Sequence, residues 1–210
     1  MGLGNRGMHF DKLINLSNEM YQRGEVALIN KRPTPVKVLK MVYGRVKDEY
    51  YESKSTVDYD GVYKGRAIAF EAKSTNEINR FDLEHIAQHQ LDYLEQAEKM
   101  GAICFFLIGF SKDKSVFAVS LSVIQSYVRM SQQPKSKKSI PRAEFDIYGY
   151  LVGQTERAPV DYLQYIDVTG LIPGVLDNMI QIDQDRKRVA NNIEAAKEKM
   201  NNKKRKLLKA

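Results

Sequence analysis

The 210 residues include one cysteine, six prolines and no tryptophan. The lone Cys104 excludes a disulfide scaffold and any zinc site built on several thiolates, and its place inside the apolar run AICFFLIGF marks it as a core residue. No stretch reaches the roughly 18 to 20 consecutive apolar residues needed to span a bilayer. The opening MGLGNRGMHF also lacks the apolar run of a secretory signal. These absences lead us to expect a soluble, intracellular (cytoplasmic) protein with no membrane partner. No glycine-rich phosphate loop of the Walker type occurs, so nucleotide hydrolysis is not called for. Disorder throughout is excluded as well, because 43% hydrophobic residues suffice for a sizeable core, and the length suits one domain with or without appendages.

The net charge of +7 is unevenly placed. Residues 186–210 carry a net +8 and residues 1–185 a net −1. Within the near-neutral part, the segment from Lys31 to Lys47 holds six basic residues (Lys31, Arg32, Lys37, Lys40, Arg45 and Lys47) and no acid. Two basic concentrations suit a polyanion, since each Lys or Arg that neutralises a phosphate releases counterions. A solvated face, a nuclear address or an anionic membrane surface are the other uses of such runs.

Hydrophobic spacing predicts a helix over Arg6 to Gln22 stopped by Gly24, then a short strand at Val26–Ile29 broken by Lys31-Arg32-Pro33-Thr34-Pro35. Val36–Tyr43 alternates as an exposed basic strand that Gly44–Ser55 can extend into a projecting hairpin. The pairs Asp60-Gly61 and Lys64-Gly65 read as turns between two neighbouring strands. An amphipathic helix is expected over Arg80–Met100 with Gly101 as its cap, then a buried central strand to Phe110, a neighbour at Ser115–Ser120 and a short helix near Leu121–Met130. Ser131–Arg142 reads as a polar linker, Asp146–Gly153 as a strand, Gly170–Gly174 as a break and the remainder as helical. Strands and helices alternate, so the class is α/β or α+β around one mixed sheet, without repeats.

The chemistry lies at Asp58, Glu71 and Lys73. In AIAFEAK, period-two alternation puts Glu71 and Lys73 on one face of a strand, with Asp58 beside the preceding strand. Two nearby carboxylates favour a hard divalent cation such as Mg2+, and an adjacent ammonium can orient water and balance charge at a phosphate. The spacing alone recurs by chance about twice in a chain of this composition. The context is more telling, because Glu71 interrupts an otherwise apolar strand, where an unpartnered charge is costly. An exposed edge strand carrying Glu71 and Lys73 as a surface pair is the alternative. His85 and His89, four apart, suit one zinc on a helix, but no third ligand follows at metal spacing. Tyr43, Tyr50, Tyr51, Tyr59 and Tyr63 can stack on unpaired bases or fill a half-buried pleat, with stacking favoured at Tyr50 and Tyr51.

Six segments in order carry a resemblance: Asn5-Arg6-Gly7-Met8, Lys31 to Val36 (KRPTPV), Thr56 to Arg66 (TVDYDGVYKGR), Phe70-Glu71-Ala72-Lys73, His89-Gln90, and Ala158 to Tyr162 (APVDY). Together they resemble the RecU family of Holliday junction resolvases, in the PD-(D/E)xK nuclease superfamily, over the chain up to about Asp161. The chain departs from that pattern in a rewritten stalk, in Val57-Asp58 where a Thr-Asp pair is usual, and in a longer, more basic tail past Gly174.

The resemblance implies a restriction-endonuclease-like α/β fold, a mixed central sheet flanked by helices. A nuclease domain would span 1–174, with a stalk at about 38–55 projecting from a homodimer, and a basic helical extension would follow over 175–210. It implies metal ligation by Asp58, Glu71 and the carbonyl of Ala72, with Mg2+ replaceable by Mn2+, a catalytic Lys73, a nearby Gln90, and an additional acid at Asp11. DNA contacts are expected from Arg6, Lys31, Arg32, Thr34, Lys40, Arg45, Lys47, Lys64, Arg66 and His89. The implied activity is paired nicking of opposed strands at four-way DNA junctions, in a bacterial or phage-encoded protein. A duplex-cutting nuclease of the same superfamily and a non-catalytic junction-binding protein are the alternatives.

Overall fold

The computed structural model describes residues 4–51 and 55–169, with side chains from residue 9 onward. The expected break at 170–174 and the extension at 175–210 lie outside the described residues. Helix α1 (Gly4–Arg23) leads into β1 (Ala27–Lys31), and β2 (Val36–Val42) and β3 (Arg45–Tyr51) form a separate two-stranded ribbon. The chain continues through β4 (Tyr59–Tyr63), β5 (Arg66–Thr75), β6 (Arg80–Asp82), α2 (Gln88–Lys99), β7 (Ile103–Phe110) and β8 (Ser115–Ser120). Helix α3 (Leu121–Ser131), β9 (Ser139–Pro141), α4 (Arg142–Tyr148), β10 (Gly149–Leu151) and α5 (Leu163–Thr169) complete it.

The main sheet has six strands in the order β1-β4-β5-β7-β8-β10. Its pairs are antiparallel except β5–β7, which is parallel and joined through β6 and α2, so the sheet is mixed as expected. All eight residues of β7 are buried, which accounts for its continuous apolar run in place of alternation. Burial pushes the Cys104 thiol up to about 12, consistent with an inert core position.

One face of the sheet carries a column of stacked rings. Tyr59 lies on Phe70 with centroids 4.9 Å apart and planes 8° apart, and Phe70 lies on Phe105 at 4.9 Å and 12°. Tyr162 closes the column from the segment before α5, and α1 is fastened to the same face by the Tyr59 hydroxyl, which donates to Asn15 Oδ1 at 3.1 Å. Buried Asp161 anchors that side, accepting from Tyr21 (2.9 Å), Thr155 (2.6 Å) and Arg157 (3.0 Å). The opposite face receives α2, whose Gln90 reaches Glu71.

Three local expectations differ from the structure. Asp60-Gly61 is not a turn but the middle of β4, and glycine is needed because β1 passes so close that a Cβ would meet the Leu28 carbonyl oxygen at 2.0 Å. The turn is at Lys64-Gly65, both with positive φ (48° and 75°), as a tight two-residue hairpin requires. The helix expected over Arg80–Met100 begins only at Gln88. Residues 80–82 instead pair with 139–141, putting Phe81 into the core against Phe145 and giving the supposed linker a strand of its own. The apparent strand over Asp146–Gly153 is helical to Tyr148 because Phe145 is drawn onto Phe110 and Phe117, and only Gly149–Leu151 extends along β8.

The separate ribbon of β2 and β3 occupies most of the residues for which a stalk is expected. Every residue of its strands is exposed except the half-buried Val42, and Tyr43 at its tip is 100% exposed. Its continuation over 52–54 lies outside the described residues.

Candidate active site

Register brings the acids together. Tyr59 pairs with Phe70, so Asp58, the residue before β4, stands opposite Glu71, the residue after Phe70. Both strands pleat, hence the ring column faces one way and the carboxylates the other. Three groups separated in sequence become a hydrogen-bonded unit. The Asp58 N–H donates to Glu71 Oε1 at 3.0 Å, and the Ala72 N–H donates to Asp58 Oδ2 at 3.1 Å. Lys73 Nζ lies 2.8 Å from Glu71 Oε2 and 3.7 Å from Asp58 Oδ2. From the helix side, Gln90 Nε2 donates to Glu71 Oε2 at 2.6 Å, while its own Oε1 accepts the Ala87 N–H at 3.3 Å and so caps the start of α2. The surface-pair alternative does not hold: the Glu71 side chain is 0% exposed, against 18% for Lys73 and 30% for Asp58.

A buried carboxylate must be compensated. Burial lifts the Glu71 carboxyl up to about 8, with Lys73 pulling it down and neighbouring Asp58 pushing it further up. Two adjacent carboxylates with one fully desolvated are costly as a bare pair, and a hard divalent cation would offset that cost by taking oxygen ligands from both. The donor set fits such an ion, with Asp58 and Glu71 as ligands and the Lys73 ammonium at the edge where solvent reaches.

The other expected residues distribute differently. Asp11 is not hydrogen-bonded to the Asp58–Glu71–Lys73 unit among the described residues; its Oδ2 holds Lys31 Nζ at 2.5 Å. Arg32 is bound by Asp60, with Nε at 2.8 Å and the terminal nitrogen at 2.5 Å from the same Oδ2. Thr34 is exposed between the two prolines that lead into the ribbon, and Lys40, Arg45 and Lys47 are exposed along it, none of them in an ion pair among the described residues. Lys64 and Arg66 sit at the far end of the β4–β5 hairpin from Asp58. There Lys64 meets Asp167 at 2.7 Å and Arg66 donates to the Gly101 carbonyl at 2.6 Å, so both are engaged in holding the body together. Arg6 lies within α1, but its side chain is outside the described residues. His89 is half-buried in the first turn of α2, beside Gln90. His85 ends a separate 3-10 turn, so the one-helix zinc pair does not form. His85 gathers with Asp82 and Glu84 instead, and Asp82 is already ion-paired with Arg80 at 2.9 Å. Of the tyrosines, Tyr59 and Tyr63 are core residues, whereas Tyr43, Tyr50 and Tyr51 are exposed on the ribbon. Sequence reasoning misses Asp60 and Asn15: Asp60 is hidden by its turn-like neighbour Gly61, and Asn15 carries no local signal.

The family model described as Recombination protein U matches residues 5–168. A protein of Ligilactobacillus salivarius named Holliday junction resolvase RecU is 35% identical over 170 residues, covering 79% of this chain and 79% of that one. Its namesake from a Geobacillus species is 32% identical over 169 residues, 78% of this chain and 84% of the relative. Among solved structures, Hjc of Archaeoglobus fulgidus, a Holliday junction resolvase, aligns with a TM-score of 0.38 at 10% identity, covering 66% of this chain and 94% of that one.

Proposed function

The chain belongs to the RecU family, and from that premise we propose that it is a junction-resolving endodeoxyribonuclease, hydrolysing phosphodiesters at four-way DNA with the help of a divalent cation. One observation carries the proposal: Asp58, Glu71 and Lys73 converge in a single hydrogen-bonded unit with Glu71 fully buried. Nothing about sheet stability calls for a desolvated carboxylate beside a second one.

Asp58, Glu71 and the backbone carbonyl of Ala72 would hold the ion, Mg2+ with Mn2+ able to replace it. When bound, it would supply charge stabilisation at the scissile phosphate. The remaining work falls to this chain. Lys73, kept at 2.8 Å from Glu71, turns its ammonium toward the open side, where it orients the attacking water and balances phosphate charge. Gln90 fixes one Glu71 oxygen while the Asp58 amide fixes the other, so the carboxylate cannot rotate away. The exposed ribbon supplies Lys40, Arg45 and Lys47 for phosphates and Tyr43, Tyr50 and Tyr51 for unpaired bases. A homodimer, acting in the bacterial cytoplasm on bacterial or phage DNA, would match its own twofold axis to that of the junction and nick opposed strands as a pair.

Cleavage of a mobile four-way junction and of the same sequences as linear duplex, with Mg2+ and with chelator, tests this directly. Paired nicks in the junction with Mg2+ only are expected. Equal rates on duplex would make the protein a general duplex nuclease, and persistent binding without any cutting would make it a junction-binding protein.

A further inference from the structure

The exposed ribbon meets the body beside a metal-ligand position. Strand β1 pairs with β4 up to Lys31 opposite Tyr59, and the ladder runs one residue further, the Arg32 N–H donating to the Asp58 carbonyl at 2.8 Å. Pro33 and Pro35 then remove the next donors, and the chain leaves as β2. On the return side, residues 55–57 run straight into Asp58, with Val57 wholly buried and its carbonyl accepting from Ser55 Oγ at 3.0 Å. The outgoing end of the ribbon is thus hydrogen-bonded to Asp58, and the described return segment 55–57 leads into the same residue.

Two ion pairs brace the outgoing end. Lys31 is held by Asp11 of α1 at 2.5 Å, and Arg32 closes both donors on one oxygen of Asp60, two residues past Asp58 on β4. The basic residues further out on the ribbon have no contact ion pair among the described residues, although Asp48 and Glu49 lie on the same ribbon, so only the two basic residues at its base are closed by a carboxylate.

We propose that Arg32 and Asp60 form a positioning couple that ties the seat of the ribbon to the Asp58 main chain, making metal binding and cleavage depend on how the ribbon is held. Arg32 is then a brace and not a phosphate contact. The inference rests on the nuclease reading of the Asp58 site.

Asp60→Asn, Arg32→Ala and the exchanged pair Arg32→Asp with Asp60→Arg form the test, with thermal melting as a check that the fold is intact. The readouts are Mn2+ affinity by electron paramagnetic resonance, junction Kd, and single-turnover cleavage of junction and duplex. For a brace, both single variants lose Mn2+ affinity and slow junction cleavage about ten- to hundredfold, with junction Kd within about threefold, and the exchanged pair recovers much of the loss. A charge acting only through space shifts the two singles in opposite directions: Arg32→Ala tightens Mn2+ and weakens DNA, while Asp60→Asn weakens Mn2+ and tightens DNA. That pattern, or singles indistinguishable from wild type, overturns the proposal. The Mn2+ titration needs no turnover, so a wild type that binds Mn2+ but cuts nothing refutes the nuclease reading while the brace is still judged by its own signs.

Discussion

The Asp58 main-chain amide donates to Oε1 of Glu71 at 3.0 Å, so one acid of the site holds the backbone of the other. In the proposed site, removing the Glu71 carboxylate would take away one oxygen ligand and also loosen the second. Glu71→Ala is expected to abolish Mn2+ binding and cleavage together. Lys73→Ala, which deletes no oxygen ligand, keeps Mn2+ binding while single-turnover cleavage falls by roughly 10² to 10⁴. Junction affinity in chelator stays within about threefold for both. Undiminished cutting by either variant would place the chemistry elsewhere.

Gly61→Ala tests the close approach of β1 to β4. A methyl at 2.0 Å from the Leu28 carbonyl oxygen and 2.7 Å from the Ile29 Cα forces backbone apart, which side-chain rotation cannot relieve. A loss of about 3 kcal/mol is expected, or roughly 6 to 12 °C in Tm for a chain of this size. A melting curve unchanged within about 2 °C would contradict the β1–β4 register.

Asp167 sets an acid limit on the body. Partial burial raises its pKa, but hydrogen bonds from Lys64, Tyr63 and Arg157 outweigh that and hold the carboxyl below the usual aspartate range. A depressed folded value means that the stabilisation is complete above the ordinary pKa of about 4 and disappears as pH falls through the folded value. Asp167→Asn should cost about 1 kcal/mol at neutral pH, carried by Tyr63 and Arg157. The gap to wild type in urea melts should close below about pH 4, and a gap that persists to about pH 2 would contradict this assignment.

The lysine at the far end of the β4–β5 hairpin is ion-paired, whereas those of the ribbon have no ion pair among the described residues. Replacing Lys40, Arg45 or Lys47 with alanine should each flatten the plot of log K against log salt by about 0.9 for every phosphate no longer neutralised. Lys64→Ala, whose ammonium is taken by Asp167, should leave that slope unchanged while lowering Tm slightly. A slope change at Lys64 equal to that at Lys40 would show DNA reaching both ends of the sheet.

What could be read from the chain depended on range. The strand AIAFEAK states its own geometry, because period-two alternation puts Glu71 and Lys73 on one side without reference to any other segment, and the unbroken run of β7 announces burial on both faces. The pairing of Glu71 with Lys73 was therefore legible, and the residues that support it were not. Strands β6 and β9 were not legible either, since three residues carry no period and pair only with each other across 57 to 61 positions. Asp60 looked like half of a turn because a glycine forced by β1 and a glycine forced by a reversed chain are identical in a sequence. The charge of Lys31, Arg32, Lys64 and Arg66 is visible locally, whereas the acids and the carbonyl they bind in the folded chain arrive from 20 to 103 residues away.

The column of rings formed by Tyr59, Phe70 and Phe105 lies under the site, each of the first two adjacent in sequence to one of its acids. Alternate residues thus divide between the two faces, one set keeping the skeleton and the other forming the proposed site. A copy disarmed at position 71 retains the skeleton. In a cell that also makes intact copies it would park on branched DNA and shield it, behaving as a dominant inhibitor where a missing gene product would merely be absent.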